Sequence, residues 1–425
     1  MPADRPTLHY AWIVLATGTA VVFGSLGLAR FGYSVILPAM QHELSLDNTQ
    51  AGMLASANLV GYLTLSALGG AVASRFGPRM VVSIGLAVAG FSMVLTGLVD
   101  HLLPAALWRF ASGIGSGASN VPVMALLSAW FTVQRRGLAS GIAVSGSSIA
   151  LILLGPVTPP ILAAFSEDGW RVCWFLFGAA TLFLAVISYL LIRNRPEEKG
   201  IKPYGDGTPG SSATQGNTGT LSWGHVYRSF TVWHLGWVYV AFGFSYIIYM
   251  TFFVKRLVSE GGYTQEAAGS LFMAMGWLSL VCGVSWGWVS DIIGRRRALI
   301  IIYVIHGIAF GLFALWAKPA GFILSTILFG ISAWSIPAIM AAACGDILGP
   351  RMAPAALGFI TLFFGIGQAL GPSIAGHLAD VTGSFAPSFL LAAAIAFLGA
   401  IGAYLLRFAG TDTDPKTVPE TRPDP

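Results

Sequence analysis

Mostly apolar runs of twenty or more residues recur from one end of this chain to the other, and that recurrence rules out nearly every soluble fold. A bilayer's hydrocarbon core is about 30 Å thick, so a helix needs about 20 mostly apolar residues to cross it. Twelve such runs stand at roughly 10–38, 49–73, 79–99, 103–130, 137–163, 171–193, 230–255, 264–290, 298–317, 320–345, 353–379 and 385–407. Composition agrees: 10% of the 425 residues are charged, and the mean hydropathy is +0.74. Soluble domains carry about 25% charge. Gly and Pro punctuate the runs, and none shows the ten-residue alternation of a membrane barrel. The expectation is an all-α membrane protein with twelve transmembrane helices.

The first run is too long for the apolar region of a secretory signal, so it is expected to persist as the first helix. Cys173, Cys282 and Cys344 fall on three different runs, which suits packing and gives neither a disulfide framework nor a metal spacing. Basic residues set the topology. With the N-terminus inside, 17 of the 23 Lys and Arg lie in inner segments, four lie in outer ones, and Arg30 and Arg109 lie within runs. Both termini are thus expected in the cytoplasm of a plasma membrane, the inner membrane if the cell is Gram-negative. The net charge of +5 reports this bias and gives no reason to expect nucleic acid as a partner.

Residues 194–229 interrupt the pattern with a stretch rich in Gly, Ser, Thr and Pro, which reads as a cytoplasmic linker. It separates an N-terminal six-helix bundle, 1–193, from a C-terminal one, 230–407. A polar, Pro-rich tail, 408–425, is expected to be disordered. The halves look like copies. "GGAVASRFGPR" (Gly69 to Arg79) parallels "GWVSDIIGRRR" (Gly287 to Arg297), and Gly77 aligns with Gly294 at an offset of 217. Gly155-Pro156 aligns with Gly371-Pro372 at 216, and Asn120-Val121-Pro122 with Ser335-Ile336-Pro337 at 215. Two halves related by an axis along the membrane normal are a known transporter plan.

These motifs resemble those of the major facilitator superfamily. The family's turn between spans 2 and 3 is matched by Gly70, Arg75, Gly77 and Arg79, with Ser74 in the acidic place. The second copy keeps the acid in Gly287, Asp291, Gly294, Arg295 and Arg296. Arg109, Gly113, Gly115 and Gly117 match the span 4 signature, and Gly146 with Gly155-Pro156 matches that of span 5. The resemblance implies two pseudo-symmetric bundles in the MFS fold, alternating access, and a monomer. It implies gating roles for Arg75, Arg79, Asp291, Arg295 and Arg296, with plain positive-inside topology as the other reading. Arg109 is left between coupling and structural use. "WFTVQRRGLASGIAVSGSSIA" and "FFGIGQALGPSIAGHLADVTGSF" resemble the bacterial monocarboxylate and oxalate/formate porters. Those relatives commonly carry an arginine in span 8, which is absent here.

Arg30 is the only charge between Ala11 and Met40. A cation near the middle of a span costs about 2.5–3.5 kcal/mol on insertion scales, so it needs a use or a route to the surface. Facing a central cavity, it would hold the negative end of a small organic anion. Snorkelling is the alternative. No carboxylate lies deep in any run, which disfavours cationic cargo. Further candidates for the cavity are Tyr33, Asn58, Tyr62, Asn120, Ser145 with Ser148, Tyr246 and Tyr249 with Tyr239, Trp334 and Gln368. For each, helix packing or interface anchoring is the rival. By the repeat, Arg30 corresponds to Ile247. His306 and His377 are the titratable groups available for proton coupling. No nucleotide loop, metal spacing or catalytic cluster is present, so neither an enzyme nor a cofactor is expected. The predicted function is a secondary transporter moving a small organic anion, a carboxylate, with a proton as coupling ion. An MFS-type exporter of drugs or neutral metabolites is the alternative.

Overall fold

The computed structural model describes residues 9–205 and 228–406. Most of the expected linker and the whole tail lie outside the described residues, as do Arg5, Arg407, Lys416 and Arg422. The described residues are helical apart from turns and one isolated parallel bridge, Phe131 with Tyr204. The N-terminal half comprises α1 (Tyr10–Glu43), α2 (Asn48–Phe76), α3 (Pro78–Thr96), α4 (Leu102–Trp130), α5 (Val133–Ala164) and α6 (Gly169–Leu191). The C-terminal half comprises α7 (Phe230–Ser259), α8, α9 (Arg295–Leu315), α10 (Pro319–Leu348), α11 (Ala355–Thr382) and α12 (Ala386–Leu405). α8 is a pair, Gln265–Ser279 and Cys282–Ile293, bent by 42°.

Among the described residues, ten helices are long and apolar enough to cross a membrane, or eleven if the bent pair counts as one span. The sequence expectation was twelve. The remaining expected span corresponds to α2, a single helix of 29 residues that is not among those ten or the bent pair. Two further differences concern boundaries. Helical structure runs unbroken from Ser335 to Thr382, so the loop expected near Arg351 is helical. The first residues of the expected linker are also ordered. Pro196 is buried, Ile201 and Tyr204 pack on the N-terminal core, and Tyr204 exchanges backbone hydrogen bonds with Trp130 and Thr132. Those apolar side chains distinguish 194–205 from the polar stretch that follows.

Local chemistry accounts for the helix ends. Asp47 and Gln50 form a capping box at the start of α2, and Ser229 and Thr264 cap α7 and α8. Gly77 and Gly294 adopt φ of 85° and 89°, so the two copies of the Gly/Arg turn share one left-handed backbone that disfavours side chains.

Glycines set the helix spacing. A Cβ on Gly113 would lie 1.9 Å from the Asn58 carbonyl of α2, and one on Gly115 would lie 2.4 Å from the Gly85 carbonyl of α3. The span 4 signature is therefore a pair of helix-contact stripes. Between the halves, α2 packs on α11 and α5 packs on α8. These interfaces are exchanged by the repeat. Gly52 abuts Pro372 and Gly269 abuts Gly155, while Gly52 and Gly269 stand 217 residues apart, the offset that relates Gly77 to Gly294.

Candidate functional site

Arg30 sits in an unusual part of α1. Phe23–Phe31 is π-helical, a wider winding that recurs at functional sites. Gly27 allows that segment to lie against Ala150, where a Cβ would come within 2.1 Å. The widened turn aims Arg30 toward the boundary between the halves, where it is 8% exposed. Its guanidinium lies over the Tyr62 ring at 4.5 Å and within hydrogen-bonding reach of Tyr246. Its Nε and Nη2 have no hydrogen-bond partner among the described residues. Arg30 faces the centre and does not snorkel to an end.

Arg109, 1% exposed, donates from Nη1 to the Ala29 carbonyl at 2.6 Å and lies over the rings of Tyr33 (4.7 Å) and Trp174 (5.1 Å). Its Nε is also without a partner among the described residues. The two guanidiniums are near enough to repel each other. A cavity of about 10 Å³, room for about one water, lies between them, lined also by Tyr33, Ser34, Ile247 and Thr251. Ile247, the repeat partner of Arg30, thus faces it across the boundary. No Asp or Glu lines this cavity.

The remaining candidates divide into those at the centre and those that support it. Tyr62 supplies the ring beneath Arg30, and its hydroxyl accepts from Asn120 Nδ2 at 2.9 Å. Tyr246 bonds Gln368 and stacks with Phe242 and Phe364, which also stack with each other. Trp334 donates from Nε1 to Ser148 Oγ at 3.1 Å and meets Phe31 and Tyr246 ring to ring. Tyr33 donates to the Ala51 carbonyl at 2.7 Å. Asn58 donates to Ser112 and to the Arg109 carbonyl. Both residues position Arg109 more than they face the centre.

Two candidates lie elsewhere. Ser145 returns its hydroxyl to the Ile142 carbonyl of its own helix, while Ser148, one turn on, bonds both Trp334 and Ser279. Tyr249 bonds Ser325 and packs among Phe253, Phe310, Phe313, Phe329 and Phe389, inside the C-terminal half. Its position at i+3 from Tyr246 did not bring it to the same face. Phe31, Phe242, Phe364 and Ser279 belong to the centre and were not singled out from the sequence. Phe31, adjacent to Arg30, carried the clearest available signal.

The arginine-rich turns lie at one end of the molecule. Arg79 donates from Nε to the Tyr189 carbonyl near the C-terminus of α6, its guanidinium 4.3 Å from the Tyr189 ring. That favours the helix dipole. Arg75 is exposed beside Phe76. In the second copy Arg295 bridges Asp291 at 2.5 Å and Asp346 at 3.1 Å, while Arg296 lies over Tyr404. These contacts stay within one half. His306 is buried among Phe242, Phe310 and Phe329, away from the two arginines, with no hydrogen-bond partner on either ring nitrogen among the described residues.

Comparison with known proteins places this geometry in a family. The profile described as "Uncharacterised MFS-type transporter YbfB" matches residues 22–403. A probable sulfoacetate transporter of Cupriavidus necator is 26% identical over 399 residues, 89% of each chain. The hexuronate transporter of Bacillus subtilis is 24% identical over 395 residues, 90% of each chain. Human monocarboxylate transporter 11 is 26% identical over 412 residues, 94% of this chain and 83% of that one. Among solved structures, a bacterial homologue of the human lysosomal transporter Spinster superposes with a TM-score of 0.74 at 16% identity, over 96% of this chain and all of the other. The fold, the repeated turns and this match over nearly the whole chain agree: the protein belongs to the major facilitator superfamily and is a membrane transporter, not an enzyme.

Proposed function

We propose that the protein moves a small organic anion, a carboxylate, by alternating access, with Arg30 as the anchor for the negative group. The observation that carries this reading is the pair of central guanidiniums with three buried N–H-bearing nitrogens unpartnered among the described residues and no carboxylate lining their cavity. Buried donors left unpaired are costly, and a charged acceptor satisfies them best. The named cargoes of the relatives, sulfoacetate, hexuronate and monocarboxylates, are all organic acids. Tyr62, Asn120, Tyr246, Trp334 and Gln368 complete the binding wall in this reading, and Arg109, held by Tyr33 and Asn58, sets the local positive field.

The segments 1–193 and 230–407 act as the two rocking bundles, tethered by 194–229, in a monomer. Arg75, Arg79, Asp291, Arg295 and Arg296 belong to the gate at the arginine-rich end. That end faces the cytoplasm by the positive-inside rule. Among the described residues, the hydrogen bonds between the halves lie at the opposite end and at the centre, which suits halves splayed at the arginine-rich end. The protein is then closed outward, in the plasma membrane or the inner membrane of a Gram-negative cell. Movement is proton-linked, a proton crossing in symport with the anion.

The test is uptake into proteoliposomes of labelled monocarboxylates, dicarboxylates and sulfonated acids, with and without an inward proton gradient, for wild type and Arg30→Gln. One acid should be taken up, faster with the gradient, and folded Arg30→Gln should lose that uptake. Transport of no acid, or undiminished transport by the variant, rejects the reading. The stacked wall of Phe242, Tyr246 and Phe364 favours a second reading, export of an aromatic or neutral compound. Adding such compounds to the same panel separates the two.

A further inference from the structure

A carboxylate of the C-terminal half caps a helix of the N-terminal half at the end opposite the arginine-rich turns. Asp380, in the last turn of α11, accepts the Asn48 N–H on Oδ1 at 3.0 Å. Its Oδ2 accepts the Thr49 N–H at 2.7 Å and the Thr49 hydroxyl at 2.5 Å. Asn48 and Thr49 open α2, so the contact joins a negative charge to the positive end of a helix dipole as well as to its orphan donors. The backbone beneath is in close contact, since a Cβ on Gly376 would lie 2.0 Å from the Asn48 carbonyl. Farther in, Ser56 and Ser373 meet at 2.8 Å across the same interface.

We infer that Asp380 is a gating residue, an electrostatic latch that holds α2 to α11 while this end is closed. The inference rests on the alternating access proposed above, which requires α2 and α11 to separate here and so breaks three charge-assisted hydrogen bonds at once. Among the described residues, the other hydrogen bonds between the halves are Ser56–Ser373, Gln265 to the Val35 carbonyl, and Ser148 with Ser279 and Trp334. None of these engages a charged side chain. The charged groups lining the pocket around Asp380 are Asp47, Lys255 and Glu260, with His377 one turn back on α11. Glu260 is already held by Arg256 and the Phe385 N–H. Asp47 caps its own helix through Gln50. Asp380 is the carboxylate of this group that reaches across.

The test reads how often this end opens. With Cys173, Cys282 and Cys344 replaced, Ser56→Cys places one thiol in the buried interface, and its reaction rate with a maleimide in nanodiscs reports opening. Asp380→Asn should raise that rate by about fivefold or more, as loss of a charge-assisted capping contact implies. Thr49→Val should raise it less, and Asp47→Asn, which leaves the cross-half contact intact, should leave it unchanged. Unaltered labelling in both Asp380→Asn and Thr49→Val, with normal elution and melting, overturns the latch. So does an equal rise in Asp47→Asn, which would make the effect ordinary helix capping. The readout needs no substrate, so it stands or falls apart from the cargo assignment.

Discussion

Arg30 lies over the Tyr62 ring and beside the Tyr246 phenol, and its Nε and Nη2 stay without a partner among the described residues. A cation over an aromatic face gains up to about 2 kcal/mol when desolvated, without using its N–H groups. Tyr62→Phe keeps the face and is expected to keep near-normal uptake. Tyr62→Leu removes it and should raise the KM by about five- to thirtyfold, the equivalent of about 1–2 kcal/mol. Equal KM values for the two variants would show that the ring does not position the anchor. Arg109 makes a different demand. Its fork donates to the Ala29 carbonyl while its plane lies over two rings, so Arg109→Lys cannot replace it. Both Arg109→Lys and Arg109→Gln should lower the melting temperature of the purified protein, at a cost of about 1.5–3 kcal/mol for the lost charged hydrogen bond. A lysine variant that melts like wild type would contradict this packing role.

At the scale of elements, the glycines of the repeated motifs act by what they exclude. Gly52 against Pro372 and Gly269 against Gly155 let the halves meet backbone to backbone at two symmetry-related places. Gly52→Val and Gly269→Val should each abolish uptake in protein that still inserts and elutes normally, because closure at these helices becomes impossible. Retained uptake in either would show that the corresponding interface need not close fully. The turn glycines behave otherwise. At φ of 89° Gly294 meets nothing that a Cβ would touch, so Gly294→Ala should cost only backbone strain, about 1–2 kcal/mol, visible as a modest fall in melting temperature. These elements were legible beforehand, because a Gly/Arg turn and a Gly-Pro pair declare themselves by residue type and spacing. The π-helical turn of α1 was not. Its Gly24 and Gly27 pack closely on neighbouring helices, and no local periodicity reports that packing.

For the whole molecule, the proposed alternating-access cycle requires α2 and α11 to part where Ser56 and Ser373 meet at 2.8 Å. Ser56→Cys with Ser373→Cys should cross-link under mild oxidation and stop uptake, and a reductant should restore it. Continued uptake by the cross-linked protein would mean that α2 and α11 need not part. By itself the sequence determined the membrane class, the two-half plan and the repeated turns, since apolar run length, basic bias and spaced glycines are properties of the chain read in one dimension. It also isolated Arg30, because a lone charge in an apolar run demands an account. Tertiary structure alone decided which side chains share the centre. Tyr246 turns to Arg30 while Tyr249, one turn away, enters a phenylalanine core; Ser148 reaches Trp334 while Ser145 bonds its own helix. Helical spacing fixes which residues share a face, but in a bundle apolar on every side it does not fix which neighbour that face meets. That depends on how two halves pack against each other through contacts hundreds of residues apart.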